Sequence, residues 1–290
     1  MLPEFDLLKP ASLDEALALL ARYGEDAQPI AGGTNTLVEL RERYAGPPVL
    51  IDIGRLPELR GITLARGGSH MSAGACVTIA ELLRDPLVTR HGAPLQQAAR
   101  DFASPLVRNR ATVGGNLADA SPAADSAPPL LALDAEVELA SANGVRCVPL
   151  DQFFAGVRKT VRRPDELLTR VFWPVAEKRA GAWHKFGLRR ADAISVISAA
   201  VTAEGNGDGR CHRATVALGA VAPTPIRVPE AEALLCGAEW TPEVIAEAAA
   251  IAARETQPID DLRGSAGYRR HITEVIVRRL LTLVADGGAQ

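Results

Sequence analysis

The sequence predicts a fold of mixed helices and strands, on three observations. Its 290 residues suit two domains at roughly 100–200 residues per domain, or one large domain. Helix and strand patterns alternate in the first half, whereas the second half reads as several strands followed by a helical tail. Hydrophobic residues make up 47 % and charged residues 23 %, which excludes disorder, collagen and coiled coil as the main state.

The N-terminal part predicts a strand–loop–helix–strand unit. Ser12 can cap a helix that begins at Leu13, with Glu15 completing a capping box and Gly24 ending the helix. A short apolar piece, 29–31, leads into a glycine segment and a second helical stretch at 36–43. The branched apolar run 49–53 then reads as a buried strand. About 30 residues is the size of a βαβ element.

The middle of the chain predicts two hairpins and several short helices. Asn143–Gly144 is typical of a two-residue hairpin turn, and 67–69 predicts a second turn. Thr78 and Glu81 form a capping-box pattern at the start of a helix that Pro86 limits. The flanking strands are expected at 61–65, 70–77, 137–139 and 145–148, further helical segments at 94–102 and 128–133, and a glycine-bearing loop at 112–116.

The second half predicts strands and then helices. The basic stretch 155–165 contains a proline, and we interpret it as a loop near a domain boundary. The run 206–209 is a hairpin turn pattern. Strands are expected at 166–173, 182–188, 194–203 and 210–220, and helices at 230–235, 242–255 and 265–284.

Charge and targeting patterns exclude several functions. The 32 basic and 35 acidic residues give a net charge of −3, so no overall field favours nucleic acid or an anionic membrane. The N-terminal residues lack a basic segment followed by an apolar run, so we predict no secretory signal and a cytoplasmic location. No apolar stretch approaches the roughly 18 residues that span a bilayer.

Metal centres and serine hydrolysis are also disfavoured. The four cysteines and five histidines are scattered, with no CxxC, HxH or HExxH pattern. We therefore predict no metal bound by this chain. The GxSxG pattern of a serine nucleophile is absent as well.

Two glycine segments carry the functional hypothesis, Ala31 to Asn35 (AGGTN) and Thr112 to Asn116 (TVGGN). Glycine lets the backbone approach a ligand closely, and successive N–H groups in such a turn form an anion site. Neither segment fits GxGxxG or the P-loop pattern, so a dinucleotide would need a fold other than Rossmann. Taken singly, each segment is better explained as an ordinary tight turn, because short glycine patterns occur often.

The surroundings of these segments resemble one family. Residues 111–133 are similar to the TVGGN, SPxxD and P-x-L-x-A pattern of the FAD-binding medium subunit of molybdenum hydroxylases, the carbon monoxide and xanthine dehydrogenase family. The stretch 153–160 (FFAGVRKT) followed by 165–168 (DELL) is similar to a second pattern of that subunit, and residues 5–16 resemble its opening. The resemblance covers nearly the whole chain, most specifically 29–36, 102–133 and 153–195.

The resemblance implies FAD as cofactor and names its contacts. The first segment would wrap the pyrophosphate, the second would close on it, Asp125 would contact the adenosine part, and Ile194 would lie against the flavin ring. Asp125 could instead be a surface acid or helix cap, Phe102 a core residue, and Lys185 a surface lysine. The implied binding residues are Pro29, Ile30, Ala31, Gly32, Gly33, Thr34, Asn35, Thr36, Phe102, Thr112, Gly114, Gly115, Asn116, Asp125, Leu168, Lys185 and Ile194.

The fold implied by the resemblance is α+β. An FAD-binding domain of the p-cresol methylhydroxylase (PCMH) and vanillyl-alcohol oxidase type would span 1–175, with two α/β subdomains at about 1–57 and 58–175. A smaller C-terminal domain of the carbon monoxide dehydrogenase flavoprotein type, an antiparallel sheet of about three strands covered by helices, would span 176–290.

The implied function is electron transfer within a larger assembly. A large subunit would hold molybdenum and its pterin cofactor, and a small subunit would pass electrons from two [2Fe–2S] clusters, in a dimer of heterotrimers. The acceptor would be NAD, oxygen, a quinone or a cytochrome, and a signal-bearing partner could carry the chain out of the cytoplasm. The basic run at 158–163 could meet a partner subunit, although a solvated loop is the alternative for Arg162 and Arg163.

Two other functions remain open at this stage. A free-standing FAD oxidoreductase would need a catalytic acid, base or tyrosine beside the flavin, and Tyr23, Tyr44 and Tyr268 all lie outside the stretch expected there. A non-catalytic scaffold that has lost its cofactor would show degraded glycine segments, whereas both are intact.

Overall fold

The computed structural model describes residues 2–43, 46–205 and 210–287, and its main strands form three sheets. The hairpin turn predicted at 206–209 lies outside the described residues. The strands are β1 Asp6–Leu8, β2 Ala27–Ile30, β3 Val49–Asp52, β4 Ile62–Ala65, β5 His70–Gly74, β6 Glu136–Ser141, β7 Gly144–Pro149, β8 Phe154–Gly156, β9 Lys159–Thr160, β10 Leu167–Pro174, β11 Arg179–Gly187, β12 Ser195–Gly205, β13 Cys211–Gly219 and β14 Ile226–Arg227. The helices are α1 Leu13–Tyr23, α2 Thr36–Arg43, α3 Ile79–Arg84, α4 Pro86–His91, α5 Ala93–Asp101, α6 Pro105–Arg108, α7 Val113–Ala118, α8 Ala127–Ala132, α9 Pro229–Leu235, α10 Pro242–Arg254 and α11 Ala266–Ala285.

The first sheet is parallel, with strand order β1-β3-β2. The β2–α2–β3 crossover is the βαβ unit that the sequence predicts, and it makes the turn between β2 and α2 the carboxyl end of a strand. Helix α1 packs against this sheet, and its N–H at Glu15 donates to Ser12 Oγ. The capping box is not complete, because the Glu15 carboxylate accepts from Ala11 N instead of Ser12 N.

The second sheet is antiparallel, with order β4-β5-β10-β6-β7. Both predicted hairpins are confirmed as β4–β5 and β6–β7. Strand β10 lies at the centre of the sheet although it is the last of its five strands along the chain, and Val171 and Trp173 of this strand are fully buried. The Trp173 indole N–H donates to the carbonyl of His91 at 3.0 Å, which fixes the end of α4 over the sheet.

The third sheet is antiparallel, with order β11-β12-β13-β14, and helices α9, α10 and α11 cover it. The sequence predicts about three strands here, and the described residues contain a fourth, β14, which is only two residues long. Helix α8 packs against β12 and β13 and is buried along its whole length, so it joins this sheet to the preceding domain. None of the helices in the described ranges is both long and apolar enough to cross a membrane.

Two segments predicted as loops are ordered elements. Residues 113–118 form α7, because the Thr112 hydroxyl caps the helix by accepting from Gly115 N at 3.1 Å. Within 155–165 the chain forms the small hairpin β8–β9, whose turn residue Arg158 has φ +55°. The two glycines at 114 and 115 favour a loop in the sequence, although this segment forms a helix. The basic run and the proline favour a loop at 155–165, although part of that segment forms a hairpin.

A bidentate ion pair anchors the start of β10. The Glu166 carboxylate accepts from Arg146 Nε at 2.7 Å and Nη2 at 2.9 Å, and from the N–H of Arg163 at 2.8 Å. Its side chain is only 4 % exposed. The hydrogen bonds from Arg146 lower the pKa of Glu166 below its ordinary value. The strand therefore begins at a fixed point, with Leu167 and Leu168 directly after it.

Because the folded pKa of Glu166 is lowered, its carboxylate stabilises the fold above the ordinary value of about 4.3, and this contribution disappears as the pH falls through the folded pKa. We expect Glu166→Gln to lower the free energy of unfolding by about 2 kcal/mol at pH 7. The difference from the wild type should shrink below about pH 4. Urea unfolding of the variant and the wild type at pH 7 and below about pH 4 measures this difference. Glu247→Gln, on the exposed face of α10, is the control. Equal losses at both pH values would contradict the assignment.

Candidate functional site

A cleft of about 460 Å³ lies where the three sheets' connecting segments meet. This size falls within the roughly 300–1,000 Å³ of small-molecule sites. Of the residues proposed from the sequence, all line the cleft except Ile30 and Lys185. Those two stand behind the wall, where Ile30 ends β2 and Lys185 pairs with Asp125. The two glycine segments, far apart in the chain, are thus brought to one cavity.

The first glycine segment forms the turn between β2 and α2. Gly33 has φ +70°, a conformation that side chains with a Cβ rarely adopt. The N–H groups of residues 32–36 donate to no acceptor in the described part of the chain. They precede or begin the eight-residue helix α2, whose dipole favours negative charge at that end. The turn is therefore equipped to bind an anion with neutral donors.

Gly32 allows the turn to touch the opposite wall. A Cβ built on Gly32 would lie 1.9 Å from the carbonyl oxygen of Arg110, which is far inside van der Waals contact. The obstructing atom is backbone, so no side-chain rotation could relieve it. The width of the cleft between the two segments is consequently set by a direct backbone contact.

The second glycine segment is tied into the protein more tightly than expected. The N–H groups of Val113 and Gly114 donate to the carbonyls of Val77 and Ala75, at 3.0 and 2.9 Å, and that of Gly115 is used by the Thr112 cap. A Cβ on Gly114 would lie 2.5 Å from the Ala75 Cβ. The backbone here forms a wall and supplies no free N–H from these three residues.

Asn116 and Asp125 form the polar floor. Asn116 Oδ1 accepts from both the N–H and the hydroxyl of Ser126, so its amide NH₂ stays available to a ligand. The Asp125 carboxylate accepts from Lys185 Nζ at 2.5 Å and from Ser195 Oγ at 2.8 Å. Lys185 comes from β11 and Ser195 from β12, so their hydrogen bonds to Asp125 join the two domains. The sequence did not single out Ser195 as a partner of Asp125.

This ion pair is almost completely withdrawn from water, with side chains 9 % exposed for Asp125 and 7 % for Lys185. Burial raises the pKa of Asp125, while the ammonium of Lys185 and the hydroxyl of Ser195 oppose part of that rise. The alternatives of a surface acid and a surface lysine are therefore wrong for these two residues.

Apolar side chains form the rest of the wall. Leu168 is buried at the start of β10, and Phe102 packs partly against the main core while still facing the cleft. Ile194 is 57 % exposed, in the segment after Asp192 that precedes β12. Because Ile194 is exposed, it can cover a planar ligand only near the mouth of the cleft.

A charged cluster at the rim was missed by sequence reasoning. Arg158 Nη1 donates to Asp119 Oδ1 at 2.9 Å and also to the Glu39 carboxylate. Asn35 Nδ2 donates to Asp119 at 2.5 Å. Arg158 was expected only as a possible partner contact, and no local pattern reveals that residues from α2, the end of α7 and the β8–β9 turn meet.

Arg162 also differs from expectation. Instead of lying in a solvated loop, its guanidinium donates to the carbonyls of Glu166 at 2.6 Å and Arg163 at 3.0 Å. Burial lowers its pKa from the ordinary value. The side chain thereby supports the loop before β10 and lines the cleft.

The carboxylates that line the cleft, Asp119, Asp125 and Asp192, are all engaged in ion pairs. The described lining of the cleft contains no histidine, tyrosine or lysine. Cys76 lines it, but burial raises the pKa of this thiol to about 12, so the sulfur stays protonated and unreactive at neutral pH. The arrangement suits binding and orienting a ligand better than moving protons.

The backbone contact at Gly32 generates a prediction. We expect Gly32→Ala to lower the free energy of unfolding by about 1–3 kcal/mol, because the methyl group must displace backbone. Gly267→Ala is the control, since a Cβ there meets nothing within 4 Å and the residue lies in α11. That control should be neutral or stabilising by up to about 1 kcal/mol. Urea unfolding compares them, and equal stability of Gly32→Ala and wild type would refute the contact.

The buried pair generates a second prediction. Asp125→Asn leaves the Lys185 ammonium buried without a counter-charge, and we expect a loss of about 3 kcal/mol in unfolding free energy. Adding Lys185→Met should recover most of it, because no uncompensated charge then stays buried. Asp151→Asn on the exposed surface is the charge-matched control. If the double variant were no more stable to unfolding than Asp125→Asn alone, the prediction would be wrong.

Comparison with known proteins places the chain in a family. Residues 3–176 match the family model of the FAD binding domain in molybdopterin dehydrogenase, and residues 182–284 match that of the CO dehydrogenase flavoprotein C-terminal domain.

Individual relatives match along nearly their full length. The carbon monoxide dehydrogenase medium chain of Hydrogenophaga pseudoflava is 35 % identical over 279 residues, covering 96 % of both chains. The xanthine dehydrogenase FAD-binding subunit of Escherichia coli O157:H7 is 34 % identical, covering 97 % of this chain and 96 % of the relative.

The fold agrees with a solved relative. The carbon monoxide dehydrogenase from Hydrogenophaga pseudoflava that lacks the Mo-pyranopterin moiety of the molybdenum cofactor matches with a TM-score of 0.95 and 35 % identity, over 100 % of each chain. The α+β architecture expected from the sequence, an FAD-binding domain followed by a sheet domain, is confirmed. The chain therefore belongs to the FAD-binding medium subunits of the molybdenum hydroxylases, the carbon monoxide and xanthine dehydrogenase family, and is a component of an oxidoreductase.

Proposed function

We propose that this chain is the electron-transfer flavoprotein of a molybdenum hydroxylase complex. It receives electrons from [2Fe–2S] clusters of a small subunit and passes them through FAD to NAD, oxygen, a quinone or a cytochrome. The observation that carries this proposal is the cleft itself, where a turn with free N–H groups faces a glycine-lined wall. The described lining holds no histidine, tyrosine or lysine, and its carboxylates Asp119, Asp125 and Asp192 are engaged in ion pairs. A free-standing oxidoreductase would need a catalytic acid, base or tyrosine beside the flavin.

The pyrophosphate of FAD is assigned to the turn at 32–36. Free N–H groups and the N-terminus of α2 supply neutral donors there, and Gly33 keeps the turn in its left-handed conformation. Thr112, Gly114, Gly115 and Asn116 close the opposite side. Because the N–H groups of residues 113–115 are already used, the donors that this wall contributes are side chains, the Asn116 amide and the Thr112 hydroxyl.

The two ends of the cofactor meet different surroundings. Asp125 lies on the polar floor, and its oxygens keep lone pairs for the sugar hydroxyls of the adenosine part beside the bonds from Lys185 and Ser195. Lys185 acts through Asp125 and does not line the cleft. Phe102 and Leu168 supply apolar contacts, and Ile194 covers the flavin ring near the mouth.

FAD, when bound, supplies the redox chemistry of the chain, because flavins take up and release electrons one or two at a time. The residues of this chain bind it, orient it and exclude water from one face. Ile194 sits at the rim, which leaves the ring's edge within reach of an outside electron donor or acceptor. No side chain needs to exchange a proton for this role.

The partners follow from the family. Since relatives are named medium chains, we propose a small iron–sulfur subunit and a large subunit that holds the molybdenum–pterin cofactor, as a dimer of heterotrimers in the cytoplasm. We also propose a domain boundary near residue 175, because the first two sheets end with β10 and the third begins with β11. The organic substrate would be handled by the large subunit.

The chain purified alone from a flavin-rich host should carry non-covalent FAD, identified by its absorption spectrum and by chromatography of the released cofactor. Gly33→Val and Gly115→Val should lose it while circular dichroism stays native, whereas Gly267→Ala should keep it. A reduced iron–sulfur subunit should then bleach the flavin band, and organic substrates alone should not. A flavin-free assembly isolated from the native host would overturn the proposal.

A further inference from the structure

The rim cluster places two carboxylates beside the turn assigned to the pyrophosphate. Glu39 lies in the first turn of α2, three residues after the last of the free N–H groups, and Asp119 directly follows α7. Asp119 also holds Asn35 of the turn itself, at 2.5 Å. Two negative charges in this position oppose the binding of a dianion, both through repulsion and by competing for the positive end of α2.

One guanidinium contacts both acids. Arg158 forms ion pairs with Glu39 and with Asp119, the latter at 2.9 Å, and lowers the charge of the cluster from two negatives to one. Its position is fixed by the backbone, because its own N–H donates to the carbonyl of Ala120 at 2.9 Å in the tight β8–β9 turn. The carboxylates are 25 % and 21 % exposed, so solvent screens them only in part.

We propose that Arg158 is a positioning residue for FAD that acts through Glu39 and Asp119. It cancels part of their charge and holds α2 against the end of α7, so that the dianionic pyrophosphate can be bound by neutral donors. This role rests on the proposed placement of the pyrophosphate at 32–36. It assigns to the FFAGVRKT segment a function in cofactor binding, in place of a contact with another subunit.

The test measures the dissociation constant of FAD for the full-length deflavo chain by quenching of flavin fluorescence. We expect Arg158→Met to weaken binding on the order of tenfold in about 0.01 M salt, where charges act over roughly 30 Å. The defect should shrink in about 1 M salt, where the screening length is roughly 3 Å. Lys159→Met is the control, since this exposed neighbour carries the same charge and forms no ion pair among the described residues.

A rescue variant separates charge from contact. Adding Glu39→Gln and Asp119→Asn to Arg158→Met removes both negative charges, while the side-chain carbonyl introduced at position 119 can still accept from Asn35. We expect the triple variant to bind FAD at least as tightly as the wild type, and Glu39→Gln alone to tighten binding. Thermal melts without FAD monitor folding of each variant.

Different results would contradict the role of Arg158 and the proposed function. If Arg158 served only to hold the hairpin, the triple variant would stay as weak as Arg158→Met and the defect would persist in high salt. Unchanged binding by Arg158→Met beside a normal wild type would also overturn this role alone. A wild-type chain that takes up no FAD would instead overturn the proposed function.

Discussion

The cleft depends on a backbone contact between two distant parts of the chain. Gly32 and the carbonyl of Arg110 approach so closely that no Cβ fits between them, and the left-handed Gly33 follows at once. Their contact aligns α2 with the start of α7 and sets how far apart the two walls stand. The positions of the free N–H groups and of the rim cluster depend on this distance between the two walls.

Electrostatic compensation around the cleft follows one principle. Three cations near the ligand position are already committed: Lys185 to Asp125, Arg158 to the two rim acids, and Arg162 to backbone carbonyls. A negatively charged ligand is consequently met by peptide dipoles and an amide, which offer directional bonds without a mobile counter-charge. Such a site selects its ligand by shape and donor geometry, which explains why glycine is needed where a lysine could have supplied charge.

Local patterns in the sequence predict most of the elements. The Thr78 capping box, the Asn143–Gly144 hairpin turn and the β2–α2–β3 unit depend on neighbouring residues, and each forms as expected. The TVGGN segment was mistaken for a loop because two glycines outweighed the capping threonine. The two-residue strand β14 is too short to produce a pattern.

The functional site likewise contains features that local sequence predicts and features that it does not. Its glycine segments could be located from sequence, since their resemblance to a family extends over nearly the whole chain. The pairing of Asp125 with Ser195 and the meeting of Glu39, Asp119 and Arg158 could not, because each contact joins residues 39 or more positions apart in the chain. Long-range contacts of side chains leave no trace in a single sequence when no alignment reveals covariation.

The central position of β10 has a consequence for biosynthesis. Its neighbours β5 and β6 are translated well before it, so the second sheet stays divided until residues 167–174 leave the ribosome. The contacts of Asp125 in the floor of the cleft form later still, because its partners Lys185 and Ser195 belong to the following domain. A nascent chain therefore exposes two unpaired strand edges during synthesis. Cofactor loading is thereby confined to the later stages of synthesis, after the translating ribosome has read the codons of both residues.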